Sequence, residues 1–255
     1  MNGDSAVSVL IPAWDEEDAI GGVVSSAIEG CRAVRINVEC LVCVDGRTSD
    51  STARRASEAG ARVVAQQGRG LTAAVLELAT VATADVCVVL DGDGQHDGGS
   101  AARLAAPILA DVADLVVGER DPTLLRDGFG RGLRGHARYA GACLVGALAR
   151  LAVGGRNSDP LTGMFACRRE DLIDLSCRRL DAPPSGYKLL LGLVVALPEG
   201  RIRRMTVPFL PRDAGASKLG SRVAATAICQ LLRLVVRRYC FGTPSRKGIS
   251  EFSAG

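Results

Sequence analysis

Histidine and aromatic side chains are scarce in this 255-residue chain, which holds 2 His, 1 Trp, 3 Tyr and 5 Phe. Two histidines are too few for a His-rich metal centre, and so few rings argue against the aromatic strands of an all-β sandwich. No run approaches the roughly 18–20 uncharged apolar residues needed to cross a bilayer. The longest candidates, Tyr139–Ala149 and Val223–Leu232, are about half that length. A basic-then-apolar leader is missing, so no signal peptide is expected. The nine cysteines, an odd number, suggest no disulfide framework. Cys40-x-x-Cys43 has no second pair, and small buried thiols in a reducing cytosol explain it better than zinc or redox chemistry. The first strand is not followed by G-x-G-x-x-G, which disfavours a nicotinamide-binding sheet.

What is abundant is glycine (30 residues) and apolar side chains (47%), the composition of a Val/Ala/Leu-packed parallel sheet. The net charge of +3 hides an asymmetry. Residues 1–100 hold 7 Lys/Arg against 15 Asp/Glu, and residues 101–255 hold 24 against 13. An acidic half suited to a cation is joined to a basic half suited to phosphates or an anionic membrane, although solvated charge alone gives the same sums.

Short apolar runs alternate with helical spacing through the first half. Strands are predicted at Val7–Ile11 (closed by Pro12), Val38–Val44, Val63–Ala65, Val86–Leu90 and Leu115–Val117. Helices are predicted at Glu16–Glu29 with acids in its first turn, from Ser49 or Asp50 to about Ala59, at Leu71–Val81, and from about Ser100 to Leu109. Regular βα alternation implies right-handed crossovers and a parallel sheet. Later the pattern loosens to a buried helix at Tyr187–Leu197, a strand at Ile202–Phe209 and a basic loop from Arg212 to Lys218. From Leu219 to Tyr239 one helical face carries Arg222, Thr226, Gln230, Arg233 and Arg237, opposite Val223, Ala227, Ile228, Leu231, Leu234 and Val235.

The run from Val88 to Asp97 carries the chemistry. A β-branched stretch stops at Asp91-Gly92-Asp93-Gly94-Gln95-His96. Asp91, Asp93 and Gln95 are hard oxygen ligands at alternate positions, suited to Mg2+ or Mn2+ with sites left open for phosphate oxygens. In open α/β sheets ligands bind beyond the carboxyl ends of strands, which is where this motif falls. A polar β-turn would use the same residue types, but two carboxylates and an amide in register favour a metal–diphosphate site.

These motifs, in order, resemble family 2 glycosyltransferases of the GT-A fold, most of all the dolichol/polyprenyl-phosphate mannose synthase group. Ile11-Pro12-Ala13-Trp14-Asp15-Glu16-Glu17 is similar to the family's opening Pro-x-Tyr-Asn-Glu, and Val44-Asp45-Gly46-Arg47-Thr48-Ser49-Asp50-Ser51-Thr52 to its nucleotide-binding Asp-Asp-Gly-Ser-x-Asp-x-Thr. Gly68-Arg69-Gly70 stands for Gly-Lys-Gly, Asp91–His96 for DxDxQH, and Val117-Gly118-Glu119-Arg120 for Val-Gly-Ser-Arg. Asp159-Pro160-Leu161-Thr162-Gly163-Met164-Phe165, Gly186-Tyr187-Lys188 and Val207-Pro208-Phe209…Arg212…Gly215-Ala216-Ser217-Lys218-Leu219 resemble the remaining three. Gly46 replaces an acid and Asp15 an amide, which together leave guanine or uracil open as the donor base; Gly192 replaces a frequent Glu, bearing on acceptor or loop contacts, and Trp14 replaces a Tyr in a stacking or packing position.

The resemblance implies a mostly parallel, Rossmann-like sheet flanked by helices with a C-terminal amphipathic helix. The expected organisation is a catalytic domain over 1–218, a membrane-surface helix over 219–240 and a mobile tail over 241–255. It implies a nucleotide-sugar site at Pro12, Trp14, Glu16, Asp45, Arg69, Asp91 and Gly92. Asp45 can accept from a base N–H, and both Asp45 and Glu16 can instead cap a turn or helix. It further implies metal ligation by Asp91, Asp93 and Gln95 with Asp93 foremost, catalytic charge from Asp93, Arg120, Arg212 and Lys218, and acceptor contacts at Thr162 and Ser217. The expected reaction moves a hexose, mannose above all, with inversion from a GDP- or UDP-linked donor to a polyprenyl phosphate. The expected protein is cytoplasmic and peripheral to the membrane, with no nucleic acid partner. A phosphate monoester, with its second pKa about 6, needs alignment and charge screening more than a general base. The chain lacks the Gln-x-x-Arg-Trp box of processive, hydroxyl-using relatives. A hydroxyl acceptor and a non-catalytic nucleotide-sugar-binding paralogue are the two alternatives.

Overall fold

The computed structural model describes residues 6–95, 97–120, 146–147, 150–151, 159, 162–177 and 189–208. Among them, β1 (Val7–Ala13), β2 (Val38–Val44), β3 (Arg62–Ala65), β4 (Val86–Val89), β5 (Leu115–Arg120), β6 (Phe165–Arg168) and β7 (Ile202–Val207) form one sheet in the order β3-β2-β1-β4-β6-β5-β7. Its helices are α1 (Ile20–Ala33), α2 (Thr52–Glu58), α3 (Leu71–Val81), α4 (Ala101–Leu109), α5 (Arg169–Cys177) and α6 (Leu189–Ala196).

The sheet is covered on both faces. Leu10, Leu41, Cys87 and Leu115 point to a core shared with α3, α5 and α6. Val9, Ile11, Val42 and Val88 point to a second core shared with α1, α2 and α4. Two-sided burial explains why β4 reads as an unbroken apolar run and β1 as one broken only by Ser8, whose buried hydroxyl donates to Glu39. Cys31, Cys40, Cys43, Cys87 and Cys167 are free and buried in these layers. Desolvation pushes the Cys40 and Cys43 thiols up to about 12, so the CxxC behaves as packing and not as a thiolate pair.

Several boundaries differ from the sequence reading. Pro12 does not close β1; it pairs opposite Cys43 inside the strand. The Leu10 carbonyl accepts from the Leu90 N–H, and the Ala13 carbonyl accepts from Asp45 on the other side. By alternation Pro12 faces the β4 side, past the last β1–β4 pair at Leu10 and Val89, where its missing N–H costs no ladder bond. Helix α1 starts at Ile20 with no acid in its first turn, because residues 14–18 are drawn into a loop at the strand ends. β6 runs antiparallel to β4 and β5 and interrupts the otherwise parallel order. It and α5 were not foreseen: four residues are too short to show a period. β7 stops at Val207. The 219–240 helix and the 241–255 tail lie outside the described residues.

Candidate active site at the strand termini

The loops after β1 and β2 clasp each other. The Glu16 N–H donates to Thr52 Oγ1 (2.8 Å), Ser49 N–H to Asp15 Oδ1 (2.8 Å), Ser51 N–H to Glu17 Oε2 (3.0 Å) and Glu17 N–H to Asp50 Oδ2 (3.1 Å). Asp15 is held at φ 47°, a left-handed conformation that Asp and Asn tolerate better than other side chains. Its carboxylate supplies the acceptor that an amide oxygen would supply there, which accounts for the Asp replacing Asn. The Glu16 carbonyl accepts from Ala19 and Ile20, so its main chain starts α1.

Asp45, at the end of β2, is gripped by Arg47. Its Oδ1 accepts from the Arg47 N–H (2.9 Å) and Nε (2.8 Å), and its Oδ2 from Nη2 (2.7 Å). The same guanidinium lies 4.0 Å from the centre of the Trp14 ring. The Arg47 hydrogen bonds hold the Asp45 carboxyl below its usual range against partial desolvation, and Arg69 adds to the effect. Arg69 is exposed on a loop fixed from behind by Glu77, whose carboxylate accepts from the Gln67 N–H (2.9 Å) and Gly68 N–H (2.6 Å). Gln66 Nε2 closes that loop on the Gly70 carbonyl (2.9 Å).

The DxD motif sits beside these loops. Gly92 is buried against β1, where a Cβ would meet the Pro12 carbonyl at 3.2 Å. Asp93 Oδ1 accepts from the Gln95 N–H (3.1 Å), which fixes the turn. Downstream, Asp97 caps Gly99 (3.0 Å) and the Ser100 hydroxyl (3.1 Å). Gly98 approaches α1 so closely that a Cβ would collide with Ser26 and Val23. The motif is thus pinned at both ends, while His96 lies outside the described residues. No three His, Cys, Asp or Glu side chains gather into a metal-holding group among the described residues. The donor set is two carboxylates and an amide, which fits a hard cation completed by diphosphate oxygens.

On the far side, the described stretch of residues 159 and 162–164 leans on this motif. Gly163 packs directly on the Asp91 carboxylate, leaving no room for a Cβ. The Met164 carbonyl accepts from the Gly118 N–H (2.9 Å). Arg120, expected as a phosphate-facing cation, forms a two-pronged pair with Asp159 (2.7 Å for each prong) that ties β5 to this segment. Thr162, expected at the acceptor, is 2% exposed and its hydroxyl accepts from the Met164 N–H (3.2 Å). It shapes the turn beneath the site. Arg212, Ser217 and Lys218 lie outside the described residues, as do Tyr187 and Lys188.

The motif order and this geometry agree with a family match: the model described as Glycosyl transferase family 2 covers residues 8–175. The chain belongs to that family. An uncharacterized glycosyltransferase of Mycobacterium tuberculosis is 32% identical over 239 residues, covering 91% of this chain and 97% of that protein. A dolichol-phosphate mannosyltransferase of Pyrococcus furiosus is 26% identical over 240 residues, covering 90% of this chain and 63% of that one. Among solved structures, glucosyl-3-phosphoglycerate synthase from Mycobacterium tuberculosis in complex with Mn2+, UDP-glucose and phosphoglyceric acid superposes with a TM-score of 0.65. It is 21% identical and covers 96% of this chain and 82% of that chain, a likeness of fold. As a family 2 glycosyltransferase, the chain has GT-A architecture, with the Asp15–Glu17, Asp45–Thr52 and Asp91–Gln95 segments following the carboxyl ends of β1, β2 and β4. Three residues of this glycosyltransferase escaped the sequence reading. Arg47 stood at an unremarkable motif position, Glu77 inside an apolar helix, and Gly163 in a loop whose contact with Asp91 is long-range.

Proposed function

We propose that this glycosyltransferase moves a hexose, mannose in the first instance, from a nucleoside-diphosphate donor to a polyprenyl phosphate, with inversion and with Mg2+ or Mn2+. The observation that carries this reading is the convergence of Trp14, Asp45 and Arg69 with Asp91 and Asp93 at one sheet edge, closed by Gly163 against Asp91. Asp91, Asp93 and Gln95 would hold the cation, which when bound offsets charge building on the departing diphosphate. Trp14 and Asp45 would take the base, and Arg69 the diphosphate. Arg120 orders the acceptor side through Asp159, and Arg212, Lys218 and Ser217 supply phosphate contacts. The relative named a dolichol-phosphate mannosyltransferase supports a lipid phosphate acceptor. No enzyme nucleophile is assigned by any motif, so in-line displacement and inversion are expected.

A hydroxyl acceptor is the second reading, favoured by the fold shared with a synthase crystallised with phosphoglyceric acid. Labelled GDP- and UDP-hexoses, incubated with Mn2+ and either a polyprenyl phosphate or phosphoglyceric acid, separate the two. The lipid reading predicts solvent-extractable label in β linkage from an α-linked donor. Label only in the water-soluble product supports the second reading, and an α-linked product contradicts inversion.

No helix among the described residues is long and apolar enough to cross a membrane. Surface attachment through the amphipathic helix predicted over 219–239 is part of the proposal. Charge reversal of Arg222, Arg233 and Arg237 should release the protein from anionic vesicles but spare turnover of a short, water-soluble prenyl phosphate. Continued flotation of that variant would assign the helix a structural role only.

A further inference from the structure

Arg47 does two things at once that a bound nucleobase would do. Its planar guanidinium lies 4.0 Å above the centre of Trp14. Its Nε and Nη2 donate side by side into the two oxygens of Asp45 at 2.8 and 2.7 Å. A platform and an edge partner are the two elements of base recognition, and in this structure the chain's own side chain satisfies both.

We propose that the Arg47 guanidinium occupies the nucleobase position of the donor site as a displaceable plug, and that the base matched to displace it, read by the two oxygens of Asp45, is guanine. The inference rests on the assignment of the β1 and β2 termini to the donor nucleotide. Guanine carries two adjacent, parallel N–H donors on one edge, the same fork that Arg47 presents to the carboxylate. Uracil carries a single N–H between two carbonyl oxygens, and one of these would face the second oxygen of Asp45. The plug is also built to leave. The Arg47 side chain is 64% exposed, so its ion pair with Asp45 is solvent-screened and cheap to open. It rides on a turn closed by the Thr48 N–H on the Asp45 carbonyl (2.9 Å), beside Gly46, which has open space around it. Gly46 where relatives carry an acid then has a consequence: Asp45 is left as the carboxylate of this turn that Arg47 and the base compete for.

Trp14 is the chain's single tryptophan, so its fluorescence reports on this position alone. GDP and UDP are titrated, with Mn2+, into the full-length wild type and into Arg47→Ala, Arg47→Lys and Asp45→Asn, reading Trp14 emission and confirming Kd by calorimetry. The wild type should bind GDP at least about ten-fold tighter than UDP, and Arg47→Ala should tighten GDP by about 3- to 10-fold. Arg47→Lys, which keeps the charge but not the planar fork, should tighten it to a smaller extent. Asp45→Asn should bring GDP binding down to the level of UDP. Tighter binding of UDP than GDP by the wild type, or weaker GDP binding by Arg47→Ala, would overturn the inference while leaving the donor-site assignment intact. No response to either nucleotide in any of these proteins would overturn that assignment and this inference with it.

Discussion

Charged side chains gather at both ends of the sheet, but to different ends. At the amino-terminal end of β5 and β7, Asp114 accepts from Arg201 Nε (3.1 Å) and Nη2 (2.8 Å) and from Arg168 Nε (3.1 Å). Asp111 accepts from Arg201 and Arg168 in turn. Acids and bases there neutralise each other and lock three strands together. At the carboxyl ends of β1, β2 and β4, main-chain amides share that work with the Arg47–Asp45 pair, as Asp15, Asp50, Glu77 and Asp93 each take backbone N–H groups. Ion pairing at one edge holds strands. Amide capping at the other holds loops in shape.

The largest effect that should separate the two edges is chemical. Asp93→Ala should cut transfer by about 10³-fold, equivalent to about 4 kcal/mol of transition-state stabilisation, with its thermal midpoint near that of the wild type. A matched loss of stability would erase the distinction between the edges. Next, Gly163→Ala should lower turnover by roughly 10- to 100-fold, because its Cβ must push the Asp91 carboxylate aside. Calorimetric Mn2+ binding in that variant should weaken in parallel.

At the opposite edge, Asp114→Asn should cost about 1–2 kcal/mol of stability, discounted for the partial exposure of both arginines, and leave the specific activity of the folded enzyme unchanged. Hydrogen bonds from Arg201 foremost hold the Asp114 carboxyl below its usual range. A depressed carboxylate contributes stability above its unfolded pKa, about 3.9, and loses it as pH falls through the native value. The stability gap between wild type and Asp114→Asn, read from urea melts, should therefore be full at pH 6 and close below about pH 4. The smallest effect is expected from Glu77→Gln, which can accept only one of two amides. The donor KM should rise about 3-fold with kcat held, marking Glu77 as a positioning residue for the Arg69 loop.

Much of the frame was legible in the sequence because two-sided burial writes plain apolar runs: β2 and α3 fall where the sequence places them. Errors cluster where long-range contacts override local signals. Glu16 and Glu17 look like a helix start but are drawn to the β2 loop. Pro12 looks like a strand stop, yet it sits where no partner needs its N–H. The site follows the same rule. Asp91 and Asp93 are separated by one residue in the sequence and could be read as a unit. The pairing of Arg120 with Asp159 and the seat of Gly163 on Asp91 join distant segments and could not. The seat of Arg47 over Trp14 was not legible because it joins two loops some thirty residues apart.

Transfer of label from a nucleoside-diphosphate hexose to a polyprenyl phosphate, run in parallel with Mn2+ and with excess chelator, tests the metal–diphosphate site most directly. Lipid-linked product should form with Mn2+, vanish on chelation and return when the metal is restored. Undiminished product in excess chelator would contradict the assignment of Asp91, Asp93 and Gln95.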